Sequence, residues 1–271
     1  MCIRDRCKAF TDELHAVQLV WGYFVGIFTT LLVYFAIRGE SLSTLTKTSR
    51  PLLQWMRGGY LAASIMSLFV GLTFLPLAEA TAIGFMAPLF ITGLSMPLLG
   101  EKVSAHRWLA VVAGLVGVAI IVRPGSGLWQ WTAVMPLIGA VCFALYQLTT
   151  RMLTATENTH TILFYTGLTG VIWSTVTVVF FWRTPELTHW IVFFGTGLLG
   201  ACAHLCLVNS FRLAQASLIA PFNYTKLLWA TILGYLLFGD MPTLNTITGS
   251  VVIVVAGLYV LYQESQSAEY A

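Results

Sequence analysis

Charge is what this sequence has least of. Asp, Glu, Lys and Arg make up 9% of its 271 residues, against 58% apolar residues, where a water-soluble domain carries about 25% charged. A chain so poor in charge cannot cover its own surface against water. That excludes a soluble enzyme or binding domain and leaves lipid as the solvent. Basic residues do not run together either: the formal charge is +3, from singly scattered Lys and Arg, so the footprint of a nucleic-acid binder is missing. The five cysteines form neither a disulfide framework nor a zinc ligand set. Cys142, Cys202 and Cys206 fall in apolar segments, where cysteine serves as a small buried hydrophobe. Cys202 and Cys206 flank His204, but no second cluster of His, Cys or acid completes a metal site. No metal or cofactor is expected. A channel would need rings of charge or a filter-like glycine run, and an intramembrane enzyme would need paired acids with histidine at helical spacing; neither is present.

What is present is a succession of apolar runs. A helix needs about 20 apolar residues to cross the hydrocarbon, and nine segments qualify as candidates: 17–37, 58–76, 80–99, 105–122, 132–150, 161–182, 190–211, 216–238 and 244–262. The expected fold is therefore all-α and polytopic. The fourth segment is short, and its Gly114 and Gly117 suit close helix packing. Turn-rich links separate the runs, Arg123-Pro124-Gly125-Ser126-Gly127 and Gly239-Asp240-Met241-Pro242 among them. Trp108, Trp129, Trp131, Trp190, Tyr259 and Tyr262 stand at span ends, as interfacial anchors do.

Orientation follows from the basic residues. One side receives Arg38, Lys47, Arg50, Arg57, Lys102, Arg107, Arg151 and Arg212, eight in all, against Arg123 and Arg183 on the other. The richer side faces the cytoplasm, which places the C-terminus inside. The N-terminal tail conflicts with this: with nine spans, Arg4, Arg6 and Lys8 fall outside. One further span before residue 14 resolves the conflict. The tail lacks the apolar core of a signal peptide, so residues 1–14 read as a truncation or scar in place of a first helix.

An internal repeat supports the same expectation. Leu77-Ala78-Glu79-Ala80-Thr81 matches Leu213-Ala214-Gln215-Ala216-Ser217 at an offset of 136, and Gly100-Glu101 matches Gly239-Asp240 at 139. From each acid the following Gly-containing span runs the same 22 residues, to Arg123 or to Tyr262. The span at 132–150 opens the second half, so its counterpart falls largely before residue 1. The domain reading is a first repeat over 15–125 lacking its first helix, a second over 126–264 and a cytoplasmic tail over 265–271. Five spans per half is odd, so the halves insert in opposite orientations, an inverted repeat typical of secondary transporters.

These motifs, with Pro88, Ala220-Pro221-Phe222, Tyr224 and Phe238-Gly239-Asp240, resemble the drug/metabolite transporter superfamily, specifically its EamA-type ten-helix transporters. The resemblance covers about residues 14–264. It implies a monomeric or homodimeric inner-membrane carrier with a central cavity, similar to carriers of metabolites that include S-adenosylmethionine. The expected function is transport of a small polar metabolite, anionic or zwitterionic, by alternating access at a midplane site between the repeats. The alternative is a non-transport membrane protein, a structural or accessory subunit or an intramembrane enzyme.

The candidate substrate-binding residues are Lys226, Asn223, Tyr224, Trp229, Tyr146, Gln147, His204, Tyr165 and Pro88. Lys226 lies mid-span, where a charge costs about 2.5–3.5 kcal/mol on the insertion scale. Asn223 and Trp229 sit three residues to either side, on a broadly common face, and Pro221 removes a backbone donor just before them. Lys226 either meets substrate or locks the bundle against a helix terminus or an acid. His204, mid-span too, either couples protons or makes an interhelical hydrogen bond. Tyr146, Gln147, Tyr165 and Thr169 either bind substrate or hold helices together. Pro88 lies near the centre of its span and mirrors Pro221, and interrupted helices in corresponding positions point to a transport site. Trp21 and Tyr23 reach the cavity from the outer end or anchor their helix at the interface. Glu101 and Asp240 cap helices, and Arg57 and Arg151 set orientation.

Overall fold

The computed structural model describes residues 14–74, 80, 83–122, 134–238 and 244–269. Leu77-Ala78-Glu79, Thr81, the 123–127 link, Gly239-Asp240 and the tail before residue 14 lie outside the described residues.

Every described element is helical. In chain order they are α1 (Ala16–Ile37), a short α2 (Leu42–Thr46), α3 (Pro51–Phe74), α4 (Ala87–Leu99), α5 (Ala105–Val122), α6 (Val134–Thr154), α7 (Thr159–Val178) and α8 (Leu187–Leu213). The last span is built in pieces: α9 (Ala216–Ile219), a 3-10 turn (Ala220–Tyr224) and α10 (Thr225–Phe238). α11 (Leu244–Glu269) closes the chain. Four described stretches are long and apolar enough to cross a membrane, 17–37, Val134–Thr154, Thr159–Phe181 and Leu187–Leu213, and shorter apolar helices cover Ala87–Leu99, Ala105–Ile120 and Ile247–Tyr259. This is a polytopic helical membrane protein. One boundary moves: α3 begins at Pro51, not at Gly58, so Arg57 lies inside a helix and not in a loop.

The chain forms two compact units, each drawing on both halves of the sequence: Met1–Phe69 with Thr149–Leu213, and Val70–Leu148 with Ala214–Ala271. In the first unit α1 packs against α7 and α8. Its Val20, Phe24, Ile27, Leu31 and Phe35 are buried at steps of three and four, the stripe of a helix buried along one face. α1 crosses α8 at Gly26 and Gly197, where the backbones themselves touch; a side chain at either position would overlap the other helix. In hydrocarbon such close backbone approach is what holds helices together. Gly197→Leu is therefore expected to abolish a folded peak in size-exclusion chromatography, whereas Gly195→Leu, which meets open space, leaves it intact.

In the second unit the main pair is α5 with α11. Gly117 approaches the Gly249 carbonyl and Ile253, and Gly114 accommodates the ring of Tyr224, the packing role expected of these glycines. The spans that carry Pro88 and Pro221 are both interrupted here. α4 starts at Ala87 after a turn at Phe85–Met86, with Pro88 in its first turn, where the missing N–H leaves no bond unmade. Pro221 opens the 3-10 turn between α9 and α10. The pieces pack against each other, α4 touching both α9 and the 3-10 turn.

Candidate functional site

The ends of the broken helices are fixed by a buried polar network in the second unit. α4 ends at Gly100, left-handed at φ 67°, whose N–H donates to the Ser95 and Met96 carbonyls, a glycine-terminated helix end. The next residue, Glu101, reaches across to α9. Its Oε1 accepts from the Ala216 N–H at 2.8 Å, and its Oε2 accepts from the Ser217 N–H at 3.1 Å and the Ser217 hydroxyl at 2.8 Å. Arg107, in the first turn of α5, donates to Ser217 Oγ at 2.7 Å and to Gln215 Oε1. Both charges are buried. Arg107 thus serves as a structural anchor at the start of α5. Glu101 does cap a helix, though the helix belongs to the other half of the sequence.

The cap sets the position of the 3-10 turn, and with it Asn223. Asn223 pairs reciprocally with Gln147 of α6: Gln147 Nε2 donates to Asn223 Oδ1 at 3.1 Å, and Asn223 Nδ2 donates back to Gln147 Oε1 at 3.4 Å and to the Ala220 carbonyl at 3.2 Å. One turn before Gln147 on α6, Phe143 lies beneath Lys226, whose Nζ stands 4.5 Å from the ring centroid. Positions 143 and 147 of α6 therefore face 223 and 226 of the broken span, an i,i+4 pair against an i,i+3 pair. The aromatic face stabilises the ammonium without neutralising it. Lys226 is exposed on the chain and Gln147 fully buried, so the constellation runs from an exposed ammonium into a packed amide pair. Phe143 is the residue that sequence reading misses; its spacing to Gln147 is the signal that would have found it.

The other candidates divide. Tyr146 is fully buried beside Phe143, with ring centroids 6.1 Å apart. Tyr224 is also fully buried, and its hydroxyl donates to the Val111 carbonyl at 3.2 Å, a packing contact. Trp229 points out, 62% exposed, one turn beyond Lys226. Pro88 is buried at the start of α4. His204 and Tyr165 belong to the first unit. His204 is buried, with Nε2 3.4 Å from the Tyr23 hydroxyl; the hydroxyl of Tyr165 donates to the Thr46 carbonyl at 3.0 Å. Arg57 and Arg151 are likewise bound within this unit. Arg57 Nη2 donates to the Ile162 carbonyl and to Thr166 Oγ1, and Arg151 donates to the Phe211 carbonyl. Among the described residues no group of three His, Cys, Asp or Glu side chains is arranged to hold a metal ion.

Comparison with known proteins follows the same lines. The EamA-like transporter family matches twice, over residues 7–123 and 130–263. An S-adenosylmethionine uptake transporter of Rickettsia prowazekii is 27% identical over 96% of this chain and 87% of its own length. A riboflavin transporter of Brucella anthropi is 26% identical over 93% of this chain and 89% of its own. A pseudopaline exporter of Pseudomonas aeruginosa is 28% identical over 92% and 87%. A crystal structure at 18% identity shares the fold, with a TM-score of 0.80 over 92% of this chain and 87% of that one.

Proposed function

The chain belongs to the EamA-like transporter family, and we propose that it carries a small polar metabolite across the inner membrane by alternating access, with Lys226, Phe143, Gln147 and Asn223 as its substrate site. The observation that carries this reading is the mid-span ammonium of Lys226, which among the described residues rests against an aromatic face. A structural lysine would be expected to spend its charge on an acid or a helix end. An ammonium left available beside an amide pair offers three hydrogen-bond donors to an anionic or zwitterionic solute. The interruption of the spans at Pro88 and Pro221 supports the same reading, because discontinuous helices form the sites of secondary transporters.

In this reading the repeats are 15–125 and 126–264, inserted in opposite orientations, with the C-terminus in the cytoplasm as the lysine and arginine bias requires. His204, bonded to Tyr23 within a span, is the residue we assign to proton coupling. The names of the relatives cover both uptake and export, and their cargoes, S-adenosylmethionine, riboflavin and pseudopaline, are polar molecules and the first to try.

The test is unbiased uptake. Proteoliposomes holding the purified chain are incubated with a bacterial metabolite extract and their contents read by mass spectrometry. One or a few compounds are expected to accumulate above empty liposomes, and imposing a proton gradient is expected to change their level. A folded protein that concentrates nothing, in either membrane orientation, sinks the transport reading.

A further inference from the structure

The first unit holds polar groups that the site at Lys226 does not use. α3 is tied down at two levels near its start. Just ahead of its first residue, the Ser49 backbone N–H and hydroxyl both donate to Glu157 Oε1, at 2.8 and 2.7 Å. Further along, the fully buried Arg57 donates to the Ile162 carbonyl at 2.6 Å and to Thr166 Oγ1 at 2.7 Å. Glu157 lies in the turn between α6 and α7, and the other two partners lie on α7, so both ties fasten α3 to one hairpin.

Gln54 sits between the ties, three residues before Arg57 and so on the same side of the helix. It is fully buried, and neither its Nε2 nor its Oε1 has a hydrogen-bond partner among the described residues. A buried carboxamide with both ends unmade is unfavourable in any protein interior. The segment leading into α3 is fastened to the same hairpin: Glu40 to His160 Nδ1 at 2.8 Å, Thr161 Oγ1 to the Thr44 carbonyl at 3.4 Å and the Tyr165 hydroxyl to the Thr46 carbonyl at 3.0 Å.

We propose that residues 38–50, the segment leading into α3, form a latch over a polar site walled by Gln54 and Arg57 at the start of that helix, and that this conformation has the latch shut. The partner of Gln54 is a hydrogen-bonding group, water in the first instance, that enters when Ser49 parts from Glu157. Opening gives Gln54 the bonds that closing denies it, so the carboxamide biases the unit toward the open state. The same argument explains the density of polar ties along the segment, since they must outweigh that bias for the shut state to form. The device is separate from the site at Lys226 and stands or falls without it.

Two measurements on the full chain test the latch. In a background with all five cysteines replaced, Gln54→Cys is labelled with a membrane-impermeant maleimide, with and without Glu157→Ala. Labelling is expected to be slow with Glu157 in place and at least about tenfold faster without it; equal rates overturn the latch. Because Glu157→Ala risks unfolding the chain, the second measurement leaves the latch intact. Gln54→Leu removes the unsatisfied amide at similar size and is expected to raise the melting temperature by about 3 °C, the shift of a modest gain in a chain of this length. A melting temperature below that of the unsubstituted chain would show that the carboxamide is satisfied in the closed state and overturn the proposal.

Discussion

Lys226→Ala is expected to lower uptake about a hundredfold while leaving the melting temperature nearly unchanged. The two halves of that expectation have different origins. Lys226 is exposed on the chain, and its contact is with the face of Phe143, so among the described residues its removal strands no buried acid. Substitutions of that kind stay within about 0.5 kcal/mol in stability. The loss of a hydrogen bond from a charged donor to the cargo is worth about 1.5–3 kcal/mol, which at 1.4 kcal/mol per tenfold reaches about a hundredfold in transport. Lys226→Arg and Lys226→Gln then separate the ways the ammonium can act. Arginine keeps the charge and does not release a proton; glutamine keeps hydrogen bonding without charge. Arginine active and glutamine inactive identifies a fixed positive charge meeting an anion. Partial activity in either argues against a proton carried on Lys226, and full activity in Lys226→Ala sinks the site.

The helical membrane fold and the breaks at Pro88 and Pro221 were legible, because each is written in a few adjacent residues. A run of apolar side chains or a missing backbone N–H acts where it stands. The basic residues were not legible in the same way. Arg57 and Arg107 each flank an apolar run, and in a sequence such a residue looks the same whether it faces lipid headgroups or a threonine on another helix. The structure gives Arg57 partners 105 and 109 residues away and Arg107 a partner 110 residues away, separations at which no spacing rule operates. Phe143 was hidden for another reason: it is one of 17 phenylalanines, and only its position one turn before Gln147 sets it apart. Gln54 had the same kind of signal, one turn before Arg57, and became visible only when α3 was seen to start at Pro51. For His204 the sequence left two readings; the structure supplies the hydrogen bond, to Tyr23, and proton coupling rests on the proposal above.

Glu101→Ala is expected to produce the opposite signature from Lys226→Ala, a fall in both stability and transport. Its carboxylate satisfies the Ala216 and Ser217 N–H groups and the Ser217 hydroxyl, and these donors stay buried when it is removed. Each buried group left unmade costs about 1–3 kcal/mol, so a loss of about 3 kcal/mol is a conservative expectation, corresponding to a drop of roughly 6–12 °C in melting temperature. Glu101→Gln keeps one strong acceptor at the same place and should lose about half as much. Ser217→Ala should be non-additive with Glu101→Ala, since both act on one network that also holds Arg107; strictly additive melting shifts would contradict the network. Transport falls because α9 runs directly into the 3-10 turn that carries Asn223 and, through it, the approach to Lys226. A loosened α9 displaces the amide pair with Gln147 even where the protein remains folded. Uptake measured well below the melting temperature of Glu101→Ala should therefore still be reduced. If it recovers fully there, Glu101 holds the helix end without positioning the site, and the link from cap to cargo is broken at that step.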